Sequence, residues 1–542
     1  MSKDGPNDPA LSRRELLLGG TALAGLSAVA VRSQAAARPG ASASANVPAW
    51  PYDGLRDYLA ALEARGLVMR FDRVDQDAYE ATALMYRAID VYGAYEAPTL
   101  VFENLKINGR WIKGPMIANH QGHWDTEALT FGLEPIPHDG KGTYRKAMAH
   151  LDGILAKGRG SWPLLAPVEV DAKDAPCKEI VLTGDAIDLT QYPFIQSNPA
   201  DGGRYVNTGS VFTVEPEQGK NFGTYRCQIK GPRTLGVNPE PGQTGWRHLM
   251  AMRERGEKVA KIAIALGQDP ITWTVSGSVV APKRGERVDE LALAGGLRGK
   301  PLEVVRSEIN PDILVPAHSE MVIEGEVPLD EPMLPEGPFG EMYGYLGLRK
   351  EENFWMRVTA ITQRANPWLL NSFTGATRGF VTAPLEAGAV FRLRRAIPNL
   401  IALHSPVEAV GWTFLSIDKT AVGQGLEAGN MVANVVGIAK VVVVVDKDID
   451  VLDRVEVMHT ISSRWQPHPA SNIIEEVRGM PLDPSSPNRP MTSKIVIDAT
   501  RQWPEEGGPT EYPRRNRALL EEGAPGAFAQ VDAKFGHRFY GS

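Results

Sequence analysis

Five consecutive valines at 441–445, headed by Lys440, leave the chain less choice than any other stretch. A run of β-branched residues disfavours helix, and apolar side chains pointing both ways demand a strand covered on each face. Helical spacing at 385–396 and 427–436, with strand patterns at 400–404 and 412–416, surrounds the valines. The third part of the chain, residues 379–542, therefore reads as an α/β layer with this strand inside it.

The other two regions have different rhythms. In residues 49–167, Leu55, Leu59 and Leu62 recur at helical spacing and Gly66 closes the helix; a second helix is expected over 79–92 and a strand over 99–102. Residues 168–378 are richer in strands, at 205–215, 223–230, 263–266, 302–306, 321–327 and 354–362. Turn signals at Glu217-Gln218-Gly219 and Lys230-Gly231-Pro232 separate some of them, and helices are expected at 245–255 and 287–297. The fold class is α/β (α+β) in three domains, with no internal repeat.

The start of the chain carries an address. Ser12-Arg13-Arg14-Glu15-Leu16-Leu17 is a twin-arginine pattern, followed by an apolar run to Val31 and small residues at Ala35, Ala36 and Ala37. Residues 1–37 read as a twin-arginine signal peptide and 38–48 as a tether. The expectation is a periplasmic or exported protein that uses the twin-arginine machinery, which carries folded proteins with their cofactor in place. A formal charge of −7 with no long Lys/Arg block argues against a nucleic-acid partner. Two cysteines, Cys177 and Cys227, exclude a disulfide scaffold and a Cys-rich metal site, and leave one disulfide arithmetically open.

The chemistry concentrates in Pro335-Glu336-Gly337-Pro338-Phe339-Gly340-Glu341, two carboxylates five residues apart on a proline- and glycine-bound loop. Such turns hold side chains in fixed directions, and paired carboxylates suit proton transfer. Upstream lie Asn221-Phe222-Gly223-Thr224-Tyr225-Arg226 and Asp289-Glu290. Asn and Glu oxygens suit a hard divalent ion bridging to a phosphate. Arg226, on the same strand-like run as Asn221, is able to clamp a carboxylate bidentately. A Glu beside it is held ionised, while a Glu in a drier place is raised towards a useful proton-transfer pKa. Taken alone, Arg226 reads equally as a structural ion pair and Glu290 as a solvated helix face.

Together, in this order and at these separations, the three motifs resemble the UbiD-like decarboxylase family. The likeness extends through Asp201-Gly202-Gly203-Arg204-Tyr205, the segments 315–325 and 446–450, and 476–484. The resemblance implies an N-terminal α/β domain, a central split β-barrel for the flavin and a C-terminal α/β domain that supports a homodimer or higher homo-oligomer. It implies prenylated FMN, supplied by a flavin prenyltransferase, with a divalent metal (manganese or magnesium) and often potassium. The substrate class is a small aromatic or α,β-unsaturated carboxylic acid, reversibly decarboxylated through a cofactor adduct in which a proton replaces carbon dioxide. Carried onto this sequence, Asn221 and Glu290 match the metal ligands; Thr224, Arg226 and Gln243 join them in holding the cofactor. Arg226, Glu336 and Glu341 match the catalytic network, with Glu341 as the acid.

One departure stands out. The family places a metal-binding His some eighteen residues beyond the motif Arg, where this chain offers Thr244, or Gln243 after a one-residue shift, with His248 further along. Asn434 lies roughly where some relatives carry a lysine, and Lys440 heads the valine strand instead. The alternative reading is a catalytically altered homologue that binds a flavin or an aromatic acid without turning it over. A flavin-dependent oxidoreductase or carrier ranks last, and cofactor mass separates it from the others.

Overall fold

The computed structural model of the chain describes residues 47–278, 288–480, 482–486 and 491–540. The twin-arginine signal and nearly all of the tether lie outside the described residues. Among those described, no helix is long and apolar enough to cross a membrane.

The first elements are α1 (Leu55–Glu63), β1 (Val68–Asp75), α2 (Glu80–Tyr92), β2 (Thr99–Ile107), β3 (Arg110–Ala118), α3 (Asp125–Leu129) and α4 (Gly140–Lys157). Leu55, Leu59 and Leu62 bury one face of α1 as their spacing demands, and Gly66, at φ 67, turns the chain into β1.

The middle of the chain runs through β4 (Val168–Glu169), β5 (Ile180–Thr183), β6 (Tyr205–Val206), β7 (Ser210–Glu215), β8 (Gly219–Thr224), β9 (Cys227–Gly231) and β10 (Thr234–Gly236). It continues with α5 (Thr244–Glu254), β11 (Val259–Leu266), α6 (Pro270–Gly277), α7 (Glu290–Arg298), β12 (Glu303–Arg306), β13 (Leu314–Pro316), β14 (Met321–Pro328), β15 (Leu334–Glu336), β16 (Lys350–Asn353), β17 (Trp355–Gln363) and β18 (Leu369–Asn371). Most of these strands form one nine-stranded sheet, in the order β6-β9-β10-β17-β14-β11-β7-β8 with β5 added beside β17, which is the split barrel. Val211, Ile262, Ile264, Ile323 and Met356 fill one side of it. β18 leaves this region and pairs in parallel with β3, completing a four-stranded sheet.

Two expected strands are interrupted. The run 205–215 breaks between β6 and β7, where Asn207 exchanges bonds with the Ser372 backbone and the Thr208 hydroxyl donates to Leu370 O at 2.8 Å. The run 223–230 breaks at Tyr225 and Arg226, so Arg226 lies between strands rather than on the run that carries Asn221. In both places side-chain bonds to distant segments replace ladder bonds.

The last region holds α8 (Ala383–Leu393), β19 (Leu400–His404), β20 (Trp412–Ile417), α9 (Gln424–Val435), β21 (Val441–Asp446), α10 (Arg454–Arg464), β22 (Ser471–Arg478), β23 (Met491–Asp498), α11 (Asn516–Gly523) and α12 (Ala527–Tyr540). Its five-stranded sheet runs β19-β20-β21-β23-β22, with β21 parallel to both neighbours. Val442 and Val444 face one apolar cluster and Val443 and Val445 another, all at 0% exposure. The valine strand is covered on both faces. Cys177 and Cys227 are both buried free thiols.

Candidate active site

Arg226 sits at the break between β8 and β9, which frees its side chain to leave the sheet. Its guanidinium is shared. Nε and Nη2 donate to the two Glu336 oxygens at 2.9 and 2.8 Å, while Nη1 donates to Glu341 Oε1. The bidentate face goes to Glu336 rather than remaining open for a substrate carboxylate. Glu336 is 1% exposed and Glu341 7%. The Phe339 ring lies 5.0 Å from the guanidinium carbon and covers its remaining face.

The loop that carries the two carboxylates is held along its length. Glu336 ends β15, and Gly337, at φ 82, turns the chain into Pro338. Gly340 N donates to Asp201 Oδ1 at 2.8 Å, and Gly202 N donates to Pro338 O at 2.7 Å. Glu341 N donates to Tyr345 O and Gly347 N to Phe339 O, so the loop folds back on itself. The Tyr205 ring packs 4.6 Å from Phe339. Asp201, Gly202 and Tyr205 belong to a segment whose resemblance was legible while its task was not. That task is to cradle the acid loop.

Charge follows burial and pairing. Burial works against the Arg226 cation, but the bonds to Glu336 and the negative charges of Glu341 and Glu336 outweigh it and raise its pKa. Burial pushes the Glu341 carboxyl above its ordinary value, against the pull of Arg226, and the charges of Glu240 and Glu336 push the same way. Although it lies beside an arginine, Glu341 is thus biased towards the protonated form.

A second cluster lies on the β7–β8 hairpin. Asn221 stands opposite Thr213 in the ladder, so both side chains leave the same face. Asp289 caps α7 by accepting from Leu291 N and Ala292 N, which places Glu290 at the first helical position. From there Glu290 Oε2 accepts from Phe222 N at 2.9 Å, next to Asn221. Burial pushes the Glu290 carboxyl up to about 7; the Phe222 N–H opposes this and the Asp289 charge adds to it.

The other expected residues are placed as follows. The Thr224 hydroxyl bonds Ser276 Oγ at 2.8 Å. Gln243 is exposed and turned onto its own loop: its Oε1 accepts from Glu240 N at 2.6 Å and its backbone N–H donates to Glu240 O at 3.0 Å. Thr244 begins α5 and is half-buried, and His248 is buried, with Nδ1 2.9 Å from the Thr213 hydroxyl. Lys440 binds Asp483 and Ser485.

This geometry can be compared with known proteins. Residues 168–377 match the 3-octaprenyl-4-hydroxybenzoate carboxy-lyase Rift-related domain of UbiD, and residues 380–499 match the C-terminal domain of the same family. A phenolic acid decarboxylase of Sedimentibacter hydroxybenzoicus is 30% identical over 483 residues, covering 85% of this chain and 94% of the relative. The chain belongs to the UbiD family.

As a UbiD enzyme it is a prenylated-FMN-dependent carboxy-lyase. The vanillic acid decarboxylase of the same bacterium, in its open form, superposes with a TM-score of 0.73 at 25% identity, covering 91% of this chain and 99% of that one. The UbiD-class enzyme HmfF from Pelotomaculum thermopropionicum, solved with FMN, gives a TM-score of 0.72 at 27% identity, covering 89% and 100%. An evolved dimeric form of HmfF is solved with prFMN.

The residues present fit the polar end of such a cofactor. Asn221 is buried with an Nδ2 that makes no hydrogen bond of good geometry, and Glu290 is a carboxyl that burial desolvates, with no cation among the described residues offsetting that. Among the described residues, no three His, Cys, Asp or Glu side chains converge on one point. Asn221 Nδ2 would suit a phosphate oxygen, while Asn221 Oδ1 and the Glu290 carboxylate would offer two oxygens to a divalent ion, with water or phosphate completing the set.

Proposed function

We propose that this UbiD enzyme works after twin-arginine export and reversibly decarboxylates a small aromatic or α,β-unsaturated carboxylic acid. The observation that carries the reading is the Arg226 guanidinium shared between two buried carboxylates, Glu336 and Glu341. Prenylated FMN, when bound, supplies the electron sink for the carbon that carbon dioxide leaves. Asn221 and Glu290 would hold a divalent ion, manganese or magnesium, that neutralises phosphate charge when the cofactor binds, and Thr224 lines the same hairpin. Gln243, as placed, caps its own turn and stays out of that set.

The protein's share of the reaction is proton management. Arg226, fixed by Glu336, holds Glu341 in one orientation, and burial favours its protonated form. The bond between carbon and the carboxylate breaks, carbon dioxide leaves, and the Glu341 proton goes to that carbon. Glu341 then regains its proton from solvent, so one proton is consumed per turnover. Phe339 and Tyr205 keep water from the guanidinium face. A flavin prenyltransferase supplies the cofactor before export, and the working form is a homodimer or larger homo-oligomer.

The outward Gln243 favours a second reading, a homologue that binds a flavin or an aromatic acid without turnover. Native mass spectrometry of protein co-expressed with a flavin prenyltransferase, with metal analysis of the same sample, separates the two. Prenylated FMN with a stoichiometric divalent ion supports the decarboxylase. Plain FMN, or neither flavin nor metal, puts the binding protein first.

A further inference from the structure

The turn at 238–243 that ends in Gln243 has its side chains engaged with one another and with Lys350. Glu240 Oε1 accepts from Lys350 Nζ and from Asn238 Nδ2, the latter at 3.2 Å. Lys350 Nζ also donates to Asn238 Oδ1 at 2.8 Å, closing a three-residue ring. Asn238 N donates to Arg226 O at 3.2 Å, so the turn is tied to the arginine's own backbone. On the other side, Lys350 opens β16 and stands opposite Glu336 in the β15–β16 pair. It is the first strand residue after the loop that contains Glu341. At the loop's other end, Lys230 Nζ donates to Pro335 O and to Gln228 Oε1. Two lysines thus fasten the acid loop at both ends: Lys230 ties its entrance to β9, and Lys350 ties its exit to the β10–α5 turn.

We propose that Lys350 and Glu240 are positioning residues for Glu341: their bridge, with Asn238, locks the strand returning from the acid loop onto the β10–α5 turn. The inference rests on the reading of Glu341 as the proton donor. Its physical basis is the loop's own composition. The return leg of the loop, residues 344–348, includes Gly344 and Gly347, and Tyr345, Leu346 and Leu348 are exposed, so little burial restrains the stretch between Glu341 and Lys350. A displacement of about 1 Å at a reacting group costs on the order of 10²-fold in rate. Glu240 also adds negative charge near Glu341, in the direction burial already takes it.

The test compares wild type, Lys350→Met, Lys350→Arg and Glu240→Gln as cofactor-loaded enzymes, by amide hydrogen exchange and by steady-state kinetics. In Lys350→Met the amides of Glu341 and Gly347 are expected to exchange at least tenfold faster, with other sheet amides unchanged. Its kcat falls tenfold or more, KM stays within twofold and flavin content is kept. Lys350→Arg restores most of both readouts, and Glu240→Gln falls between. Wild-type exchange at Glu341 and Gly347 in Lys350→Met overturns the proposal, and so does a wild-type kcat. Should the wild-type enzyme turn over no acid, the donor role of Glu341 falls and exchange alone decides the clamp.

Discussion

Glu341 carries two opposing influences, and their balance defines the site. An adjacent guanidinium lowers a carboxyl pKa, yet burial here wins and raises it. A protonated Glu341 is able to give up a proton; an amide in its place still donates hydrogen bonds but releases none. Glu341→Gln is expected to keep flavin bound and to lower kcat by roughly 10²–10⁴-fold, the range of a general-acid contribution, in a carbon dioxide release assay. Arg226→Ala leaves Glu336 buried and unpaired, a loss of about 3–5 kcal/mol in urea unfolding, with far-UV circular dichroism unchanged and activity gone. Glu290 gives a pH signature. Its folded pKa of about 7 lies above the ordinary 4.5, so the folded state holds the proton more tightly than the unfolded chain. Stability from this group is therefore lost as pH rises from about 4.5 through 7. Metal-free Glu290→Gln should melt higher than metal-free wild type at pH 8, the gap closing by pH 5.

Among the elements, what the sequence revealed depended on how far each signal reached. The valine strand and the amphipathic α1 were legible because burial on two faces or one writes itself into consecutive residues. Strands 205–215 and 223–230 were legible as strands but not as broken strands, since the partners of Asn207, Thr208 and Arg226 lie more than a hundred residues away. Arg226, Glu336 and Glu341 were found together only through resemblance; spacing alone left each with an ordinary alternative. The Asp201–Tyr205 cradle was unreadable for the same reason: a glycine's need for space shows only beside its neighbour. A Cβ on Gly202 would stand 2.4 Å from Gly337 O. Gly202→Ala is thus expected to push the acid loop away, lowering kcat at least tenfold while unfolding stability changes by only about 1–3 kcal/mol. A wild-type kcat in that variant would show that the loop tolerates the shift.

For the molecule as a whole, the core does without covalent ties. Cys177 and Cys227 are buried, and burial pushes the Cys177 thiol up to about 12. A thiol reagent at pH 8 should find neither in the native protein and both in denaturant. If the proposed export holds, the protein would reach an oxidising compartment already folded, with both thiols sealed in its core. The export half of the reading has its own check: Arg13→Lys with Arg14→Lys should leave the enzyme in the cytoplasm, measured by fractionation.

The shared guanidinium has a thermodynamic corollary. Two carboxylates divide one cation, so with both ionised the centre is short of one positive charge, and the substrate arrives as a third anion. Carboxylates crowded together share protons rather than all ionise. Substrate binding is then linked to proton uptake wherever Glu341 is ionised in the free enzyme. Affinity weakens by up to about tenfold per pH unit in that range. Calorimetry in buffers of different ionisation enthalpy would count the proton directly. In that range the enzyme would take up its reagent proton on binding, before any bond to carbon is broken; below it Glu341 carries the proton beforehand.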